Sequence, residues 1–398
     1  MKSALRRSEP SSFEVNIPED DLAELRFRLE TTRWADDFSN HTWRYGVERS
    51  WLADMVRYWV DVYDWRAQEA LINAYPAYLV HIAGMPVHFL HIRGKGPNPL
   101  PLVVTHGWPW TFWDMKHIIG PLSDPSAWGG NADDAFDVVV PSLPGFGFSS
   151  PLLRDGVDVA VIADAWADLM TEVLGYERFG AYGGDWGAMV SAQLGHAHPE
   201  LVVGVELSMA VIPGVSRRDV HPEHWAPEEE WMLARMAEAE PAIRSHLAVH
   251  VCDPQTLAYA LADSPAGTAA WLWERRRAWS DCGGDPLSVF SREDLITNAS
   301  IYWLTGTTTT SMRLYAEQMT RPWPLKPGSA PGIAAPTGFA IFPKDLVFLP
   351  RRVAETHCDL RRWTVMAKGG HFAPAEQPAM LVEEIRSFFR PMRTGQVQ

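Results

Sequence analysis

Gly183-Gly184-Asp185-Trp186-Gly187 places an acidic residue where a small-x-nucleophile-x-small turn usually carries Ser. The residues before it, Arg178-Phe179-Gly180-Ala181-Tyr182, read as a short strand, and Ala188-Met189-Val190-Ser191-Ala192 after it read as the start of a helix. So sharp a strand-turn-helix needs small residues around the central one, because its backbone is strained and neighbouring chains pass close by. The residue type then restricts the chemistry. A Ser that attacked an sp3 carbon would leave a stable ether, whereas an Asp carboxylate leaves an ester that water can cleave at the Asp carbonyl. The stretch therefore predicts an α/β fold and alkyl transfer followed by hydrolysis.

Outward from this turn, residues 87–92, 100–105, 137–140, 201–207, 337–342 and 362–367 are short β-branched or apolar runs bounded by Gly, Pro and Asp, the signature of strands alternating with helices. Residues 13–78 read as amphipathic helices opening at Pro18-Glu19-Asp20-Asp21, rich in Trp (Trp34, Trp43, Trp51, Trp59, Trp65) and expected to pack as an arm on the main domain. Residues 208–321 are helical and strand-poor, including 271–279 and 295–317, and 322–336 form a Pro/Gly-rich return. The expected organisation is an N-terminal meander (1–85), a first sheet segment (86–207), a helical cap (208–321) and a second sheet segment (322–398) that closes with a helix over 378–389.

The 398 residues suffice for such a domain with an inserted cap, and 46% apolar with 21% charged residues fits a globular protein with a sizeable core. A net charge of −14 argues against nucleic acid or an anionic membrane surface as partner. Cys252, Cys282 and Cys358 form neither a disulfide framework nor a zinc pattern. Residues 1–10 carry Lys2, Arg6 and Arg7 with no apolar run after them, so no signal peptide is expected, and no apolar stretch reaches the roughly 20 residues of a membrane span. A cytoplasmic location is the expectation. The 19 tryptophans read chiefly as core and subunit packing, with some available to line an aromatic pocket.

Two further loops complete a candidate site. His106-Gly107-Trp108-Pro109 follows an apolar strand at the position of an oxyanion-hole loop in α/β hydrolases. The backbone N–H groups of Trp108 and Trp186 are the candidate donors to an ester oxygen of Asp185, Pro109 stiffens the turn, and His106 and Pro109 are candidate substrate contacts. Gly369-Gly370-His371-Phe372 follows the last strand, and His371 is the candidate base because its ordinary pKa lies near working pH. Asp345, 26 residues before His371, is the candidate acid behind the imidazole. Glu206, at the end of strand 201–207, is the alternative, with a solvated or paired strand-end carboxylate as its plainer reading.

Together with Ser142-Leu143-Pro144-Gly145-Phe146-Gly147-Phe148-Ser149, Asp263-Ser264-Pro265-Ala266-Gly267, Tyr302-Trp303-Leu304-Thr305-Gly306-Thr307 and Ser311-Met312-Arg313-Leu314-Tyr315, these motifs resemble the epoxide hydrolases of the microsomal type over nearly the whole chain. The resemblance implies an α/β-hydrolase fold with an N-terminal helical meander and an inserted helical cap. It also implies cofactor-free opening of an epoxide to a vicinal diol, with Asp185 as nucleophile, Asp345 as acid and His371 as base. Family members place two cap tyrosines over the site to hold the epoxide oxygen. Tyr315 matches one, and His246 stands where the other is expected. His246 could share the donor role, shape the pocket or be a solvated cap residue, and Tyr259 is a weaker substitute. That departure resembles members that act on bulky aryl epoxides in antibiotic biosynthesis, enediyne pathways among them. The implied partners are an aryl or bulky apolar epoxide and a second copy of the chain in a homodimer. Two rival readings share the Asp turn: a haloalkane dehalogenase, with Trp186 as a halide ligand, and a non-catalytic binding protein.

Overall fold

The strand that delivers Asp185 lies in the interior of a sheet that has nine strands among the described residues. The computed structural model describes residues 9–393, so most of the segment expected to lack a signal peptide, 1–10, lies outside the described residues. The strands are β1 (Ser11–Phe13), β2 (Ala77–Ile82), β3 (Met85–Ile92), β4 (Leu100–Thr105), β5 (Phe136–Pro141), β6 (Phe179–Gly183), β7 (Val202–Leu207), β8 (Ile333–Ile341) and β9 (Cys358–Val365). Their spatial order is β1-β2-β3-β5-β4-β6-β7-β8-β9. β1, β2 and β3 pair antiparallel, as does β3 with β5, and all pairs from β5 to β9 are parallel. The inner strands are covered on both faces, which is why β4 and β5 are near-continuous apolar runs, with Val103, Val104, Val138 and Val139 fully buried.

The sheet reaches further toward the N-terminus than the sequence suggests. β2 and β3 form a hairpin across position 85, turning at Ala83 (φ 51°) and Gly84 (φ 79°), the two positive φ values of a type I′ turn. Ala83 is an unusual residue there, so Ala-Gly lacked the usual Asn-Gly or Asp-Gly signal. Residues 31–48 are not helical either. The segment is pinned by side chains: Asn40 Oδ1 accepts the Tyr45 N–H at 2.8 Å, and Asp37 accepts the Arg49 N–H at 2.8 Å. At the far end, the return segment 322–336 overlaps β8, whose Pro336 sits at a register shift against β9, a position where the missing N–H breaks no regular ladder.

The N-terminal helices Glu19–Glu30, Arg49–Asp61 and Trp65–Asn73 were expected to pack on the sheet domain. Instead, the first two rest mainly on the cap. Trp51 and Trp59 meet cap Trp273 at ring separations of 5.7 and 6.0 Å. Tyr63 bonds Thr297 at 2.9 Å, Arg292 reaches Asp54 at 2.9 Å and Arg28 reaches Asp263 at 2.6 Å. The meander thus joins one sheet edge, through β1, to the outer side of the cap. The cap helices are Glu230–Cys252, Pro254–Asp263, Pro265–Trp279, Arg292–Leu304 and Thr308–Met319. The helical stretch read over 295–317 is two helices, parted where Gly306 adopts φ 65°. Among the described residues no helix is long and apolar enough to cross a membrane.

Two glycines make the central turn possible. A Cβ on Gly183 would lie 2.1 Å from Gly187 O, and one on Gly187 would lie 1.9 Å from Thr105 O. Both obstacles are backbone, so neither can rotate away. Gly187→Ala is therefore expected to destabilise the fold by about 3 kcal/mol or more. A urea melt superimposing on that of wild type would show that the turn has room the structure denies it.

Candidate active site

The carboxyl ends of four parallel strands converge, as ligand sites in open α/β sheets do. β4 leads into His106–Trp110, β6 into Asp185, β8 into Asp345 and β9 into His371. Asp185 takes φ 53°, ψ −126°, a strained conformation for a residue with a side chain, and it caps the helix Trp186–Ala197. Its side chain is 15% exposed. Gly107 lets the opposite loop come close, since a Cβ there would fall 2.3 Å from Asp185 Oδ1. The Trp108 N–H donates to that oxygen at 2.7 Å. The Trp186 N–H is the first of its helix, free of an intrahelical partner, and makes no hydrogen bond to the Asp185 side chain among the described residues.

The other oxygen, Asp185 Oδ2, lies 3.2 Å from His371 Nε2. His371 Nδ1 lies 2.6 Å from Asp345 Oδ1, which also accepts the Leu346 N–H at 2.7 Å. Burial by itself would push the His371 imidazole down. The Asp345 and Asp185 carboxylates on its two sides outweigh that and raise it to about 10. The ring is therefore an imidazolium at neutral pH. Glu206 takes no part in this group. It is fully buried beside Gly338, where a Cβ would fall 1.8 Å from its Oε2, and among the described residues neither oxygen has a hydrogen-bond partner. Burial, and then Glu384, push its carboxyl well above the usual range, so it is neither a solvated nor a hydrogen-bonded strand-end carboxylate.

A wall of rings covers Asp185. The His246 ring stacks on Trp108 at 5.2 Å and 13°. Tyr315 stands edge-on to Trp186 at 4.7 Å, to Trp108 at 5.9 Å and to His246 at 5.4 Å. Burial, then the Asp185 carboxylate, hold the Tyr315 phenol well above its usual range, with the Trp186 indole N–H opposing them, so the hydroxyl keeps its proton. Burial pushes His246 down to about 3, with Arg275 adding to it, so that ring is neutral rather than solvated. Tyr259 is 73% exposed and belongs neither to the site nor to helix packing.

The loop that carries Trp108 is held from the cap. Pro109 O accepts from Arg276 Nη2 and from Asn298 Nδ2, each at 3.1 Å, and Trp110 O accepts the Tyr302 hydroxyl at 2.7 Å. Arg276 also pairs with Asp114 at 2.7 Å. In His106, expected to contact substrate, both ring nitrogens are committed to the scaffold. Nε2 accepts the Leu143 N–H at 3.1 Å, which leaves Nδ1 to donate to Gly107 O at 2.9 Å. Burial pushes this ring down to about 4. For Pro109, the anchored group is the carbonyl. Among the described residues, no group of three or more His, Cys, Asp or Glu side chains could hold a metal ion.

Comparison with known proteins places this geometry. Residues 10–115 match the family model for the epoxide hydrolase N terminus, and residues 101–378 match that for the alpha/beta hydrolase fold. A putative epoxide hydrolase of Stigmatella aurantiaca is 40% identical over 382 residues, covering 96% of this chain and 85% of that one. The chain belongs to the epoxide hydrolase family. Epoxide hydrolase 1 of Oryctolagus cuniculus is 30% identical over 94% of this chain and 88% of its own. The structure of Aspergillus niger epoxide hydrolase superimposes with a TM-score of 0.81 at 27% identity, covering 97% of each chain. Juvenile hormone epoxide hydrolase from Bombyx mori shares the fold, with a TM-score of 0.85 over 98% of this chain and 96% of that one, at 24% identity. As a hydrolase acting on ether bonds, the protein departs from both rival readings, the dehalogenase and the binding module.

Sequence reasoning missed several residues at the site of this epoxide hydrolase. His250, one helical turn from His246, lies edge-on to Trp108 at 4.6 Å and to Tyr315 at 4.8 Å. Its i, i+4 spacing from His246 on one helix was the available signal. Trp271 Nε1 donates to His250 Nε2 at 3.1 Å, so the proton of the neutral ring sits on Nδ1. Trp279, Arg276 and Asn298 carried no local motif at all.

The raised His371 sets a pH dependence. In the folded chain this group holds its proton up to about pH 10, against 6.5 when unperturbed. Its contribution to stability is then complete below pH 6.5 and is lost as pH rises through 10. Urea melts of wild type and His371→Gln should show the wild-type advantage shrinking steadily across that window. An advantage that grows with pH would mean that the resting imidazole is neutral.

Proposed function

We propose that this epoxide hydrolase opens its substrate by attack of Asp185 and then cleaves the resulting ester with water activated by His371. The observation that carries the reading is the division of labour on one carboxylate: Trp108 N–H on Oδ1 and His371 Nε2 beside Oδ2, with the Tyr315 ring edge-on to Trp108. The Tyr315 hydroxyl hydrogen-bonds the epoxide oxygen, and Asp185 Oδ2 attacks a ring carbon from the opposite face, so that one C–O bond forms as another breaks. The new alkoxide takes the phenol proton. The resting imidazolium of His371 makes that loss good through solvent, leaving a neutral imidazole backed by Asp345.

The neutral His371 removes a proton from water as the hydroxide adds to the carbonyl carbon of Asp185. Trp108 and Trp186 N–H groups face the tetrahedral oxyanion. Collapse breaks the ester C–O bond, and the carboxylic acid proton passes to the leaving alkoxide. The diol departs, and the carboxylate and imidazolium are restored. Chemically, esterification is also the switch, because it removes one of the two negative charges that keep His371 protonated. His246 is the second polar group on the substrate oxygen in place of a tyrosine. The ring wall of Trp108, Trp186, His246 and Tyr315 suits an aryl or bulky apolar epoxide. A cytoplasmic homodimer completes the reading, with the largely exposed Phe38 and Tyr45 as apolar surface available for pairing.

Intact mass of His371→Gln after exposure to aryl and alkyl epoxides is the test. One added epoxide mass on the peptide containing Asp185, absent in Asp185→Ala, is the expected result, and diol formation with no adduct would exclude the ester route. Tyr315→Phe should slow ester formation by about 100- to 1000-fold, the usual loss of one donor to a developing oxyanion, while sparing ester hydrolysis. A smaller change would transfer the donor role to His246.

A further inference from the structure

Four consecutive backbone N–H groups around the candidate base are each spoken for. Gly369 N–H donates to Asp281 Oδ2 at 3.0 Å and Gly370 N–H to Glu376 Oε2 at 2.9 Å. His371 N–H donates to Trp279 O at 3.0 Å, and Phe372 N–H to Glu376 Oε1 at 2.8 Å. Glu376 Oε2 also accepts the Asp281 N–H at 2.7 Å. The two carboxylates therefore cross over: the cap's Asp281 holds the loop, and the loop's Glu376 holds the cap. Gly369 O in turn accepts the Lys344 N–H at 3.0 Å, which sets the same loop against the one bearing Asp345.

We propose that Glu376, with Asp281, is a positioning residue for His371, fixing loop 369–372 to the end of the cap helix Pro265–Trp279 so that the imidazole meets Asp345 and Asp185 together. Close packing leaves the loop no substitute anchor. A Cβ on Gly370 would lie 2.7 Å from Trp279 O and 2.8 Å from Asp281 N, so loop and cap backbone are already in contact. Gly369 has φ 107°, open to glycine alone. A carboxylate that accepts three N–H bonds cannot be copied by an amide, whose nitrogen would face a donor. Among the described residues, neither Glu376 nor Asp281 shares a hydrogen bond with Asp185, Trp108 or Tyr315. Their effect thus reaches the reaction only through the imidazole, on which ester decay depends most directly.

This assignment rests on His371 acting as the base of ester hydrolysis, and the test separates the two ideas. Rapid-quench mass spectrometry with styrene oxide as probe follows formation and decay of the Asp185 ester in wild type, Glu376→Gln and Asp281→Asn. Ester formation should stay within about twofold, while decay slows by about 100-fold in Glu376→Gln, the loss that an ångström of misplacement brings. Asp281→Asn, which leaves the three bonds of Glu376 in place, should slow decay less and serves if Glu376→Gln does not fold. The low-field imidazole N–H resonance of His371 gives a readout independent of substrate, and it should broaden or shift in both variants. An unchanged resonance, or formation and decay falling in equal proportion, would reduce Glu376 to a structural role and leave the base assignment standing. Absence of any ester in His371→Gln would instead overturn the ester mechanism itself.

Discussion

A carboxylate held almost out of water is the constraint around which this molecule is built. Removing an ion from water costs several kcal/mol unless partners replace the solvent, and Asp185 has two, a peptide N–H on one oxygen and an imidazolium on the other. Each partner demands support of its own. The N–H is presented only because Gly107 has no side chain to collide with Asp185, and because cap residues hold the carbonyls that follow it. The imidazolium persists only because Asp345 stands on its far side, against the burial that would strip its proton.

The cap is consequently part of the catalytic frame as well as a cover. Arg276, Asn298 and Tyr302 grip the loop of Trp108, while Trp279 and Asp281 grip the loop of His371. Arg276 and Trp279 lie on one helix, Pro265–Trp279, and Asp281 follows directly after its end, so a single rigid element references both the donor and the base to a common frame. The N-terminal meander presses on the same helix from outside through Trp51 and Trp59. A chain segment with no catalytic motif thereby packs against the helix that braces both loops of the site.

How much of this was legible in sequence depends on how local the determinant is. The turn at Asp185 was readable because its glycines fall within five residues of one another, even though Gly187 answers a neighbour on another strand, Thr105 O, and the strand-end loops of Trp108 and His371 were readable from similarly short motifs. The α/β class followed from apolar runs that a buried parallel sheet requires. What escaped was long-range or atypical. The β2–β3 hairpin turns on Ala83, which gives no turn signal, and β1 is too short to show a period. His106 reads as a site residue because it adjoins the oxyanion loop, yet only the distant Leu143 N–H reveals that its ring is used up. Glu206 ends a strand in sequence, and only the empty space at Gly338 explains how a carboxyl can be buried there.

In the proposed reaction, the charge state of His371 links the two halves. A neutral histidine beside a free carboxylate would be competent to activate water before any ester existed, with nothing for the hydroxide to attack. Two flanking carboxylates oppose this by holding the proton, Asp345 foremost and Asp185 beside it. Alkylation discharges one of them. On that proposal the base is released by the product of the first step rather than by a motion of the protein, in keeping with a loop whose backbone N–H groups from Gly369 to Phe372 are all hydrogen-bonded. A rigid frame and a proton-holding base fit together: the only change the mechanism asks for is a change of charge.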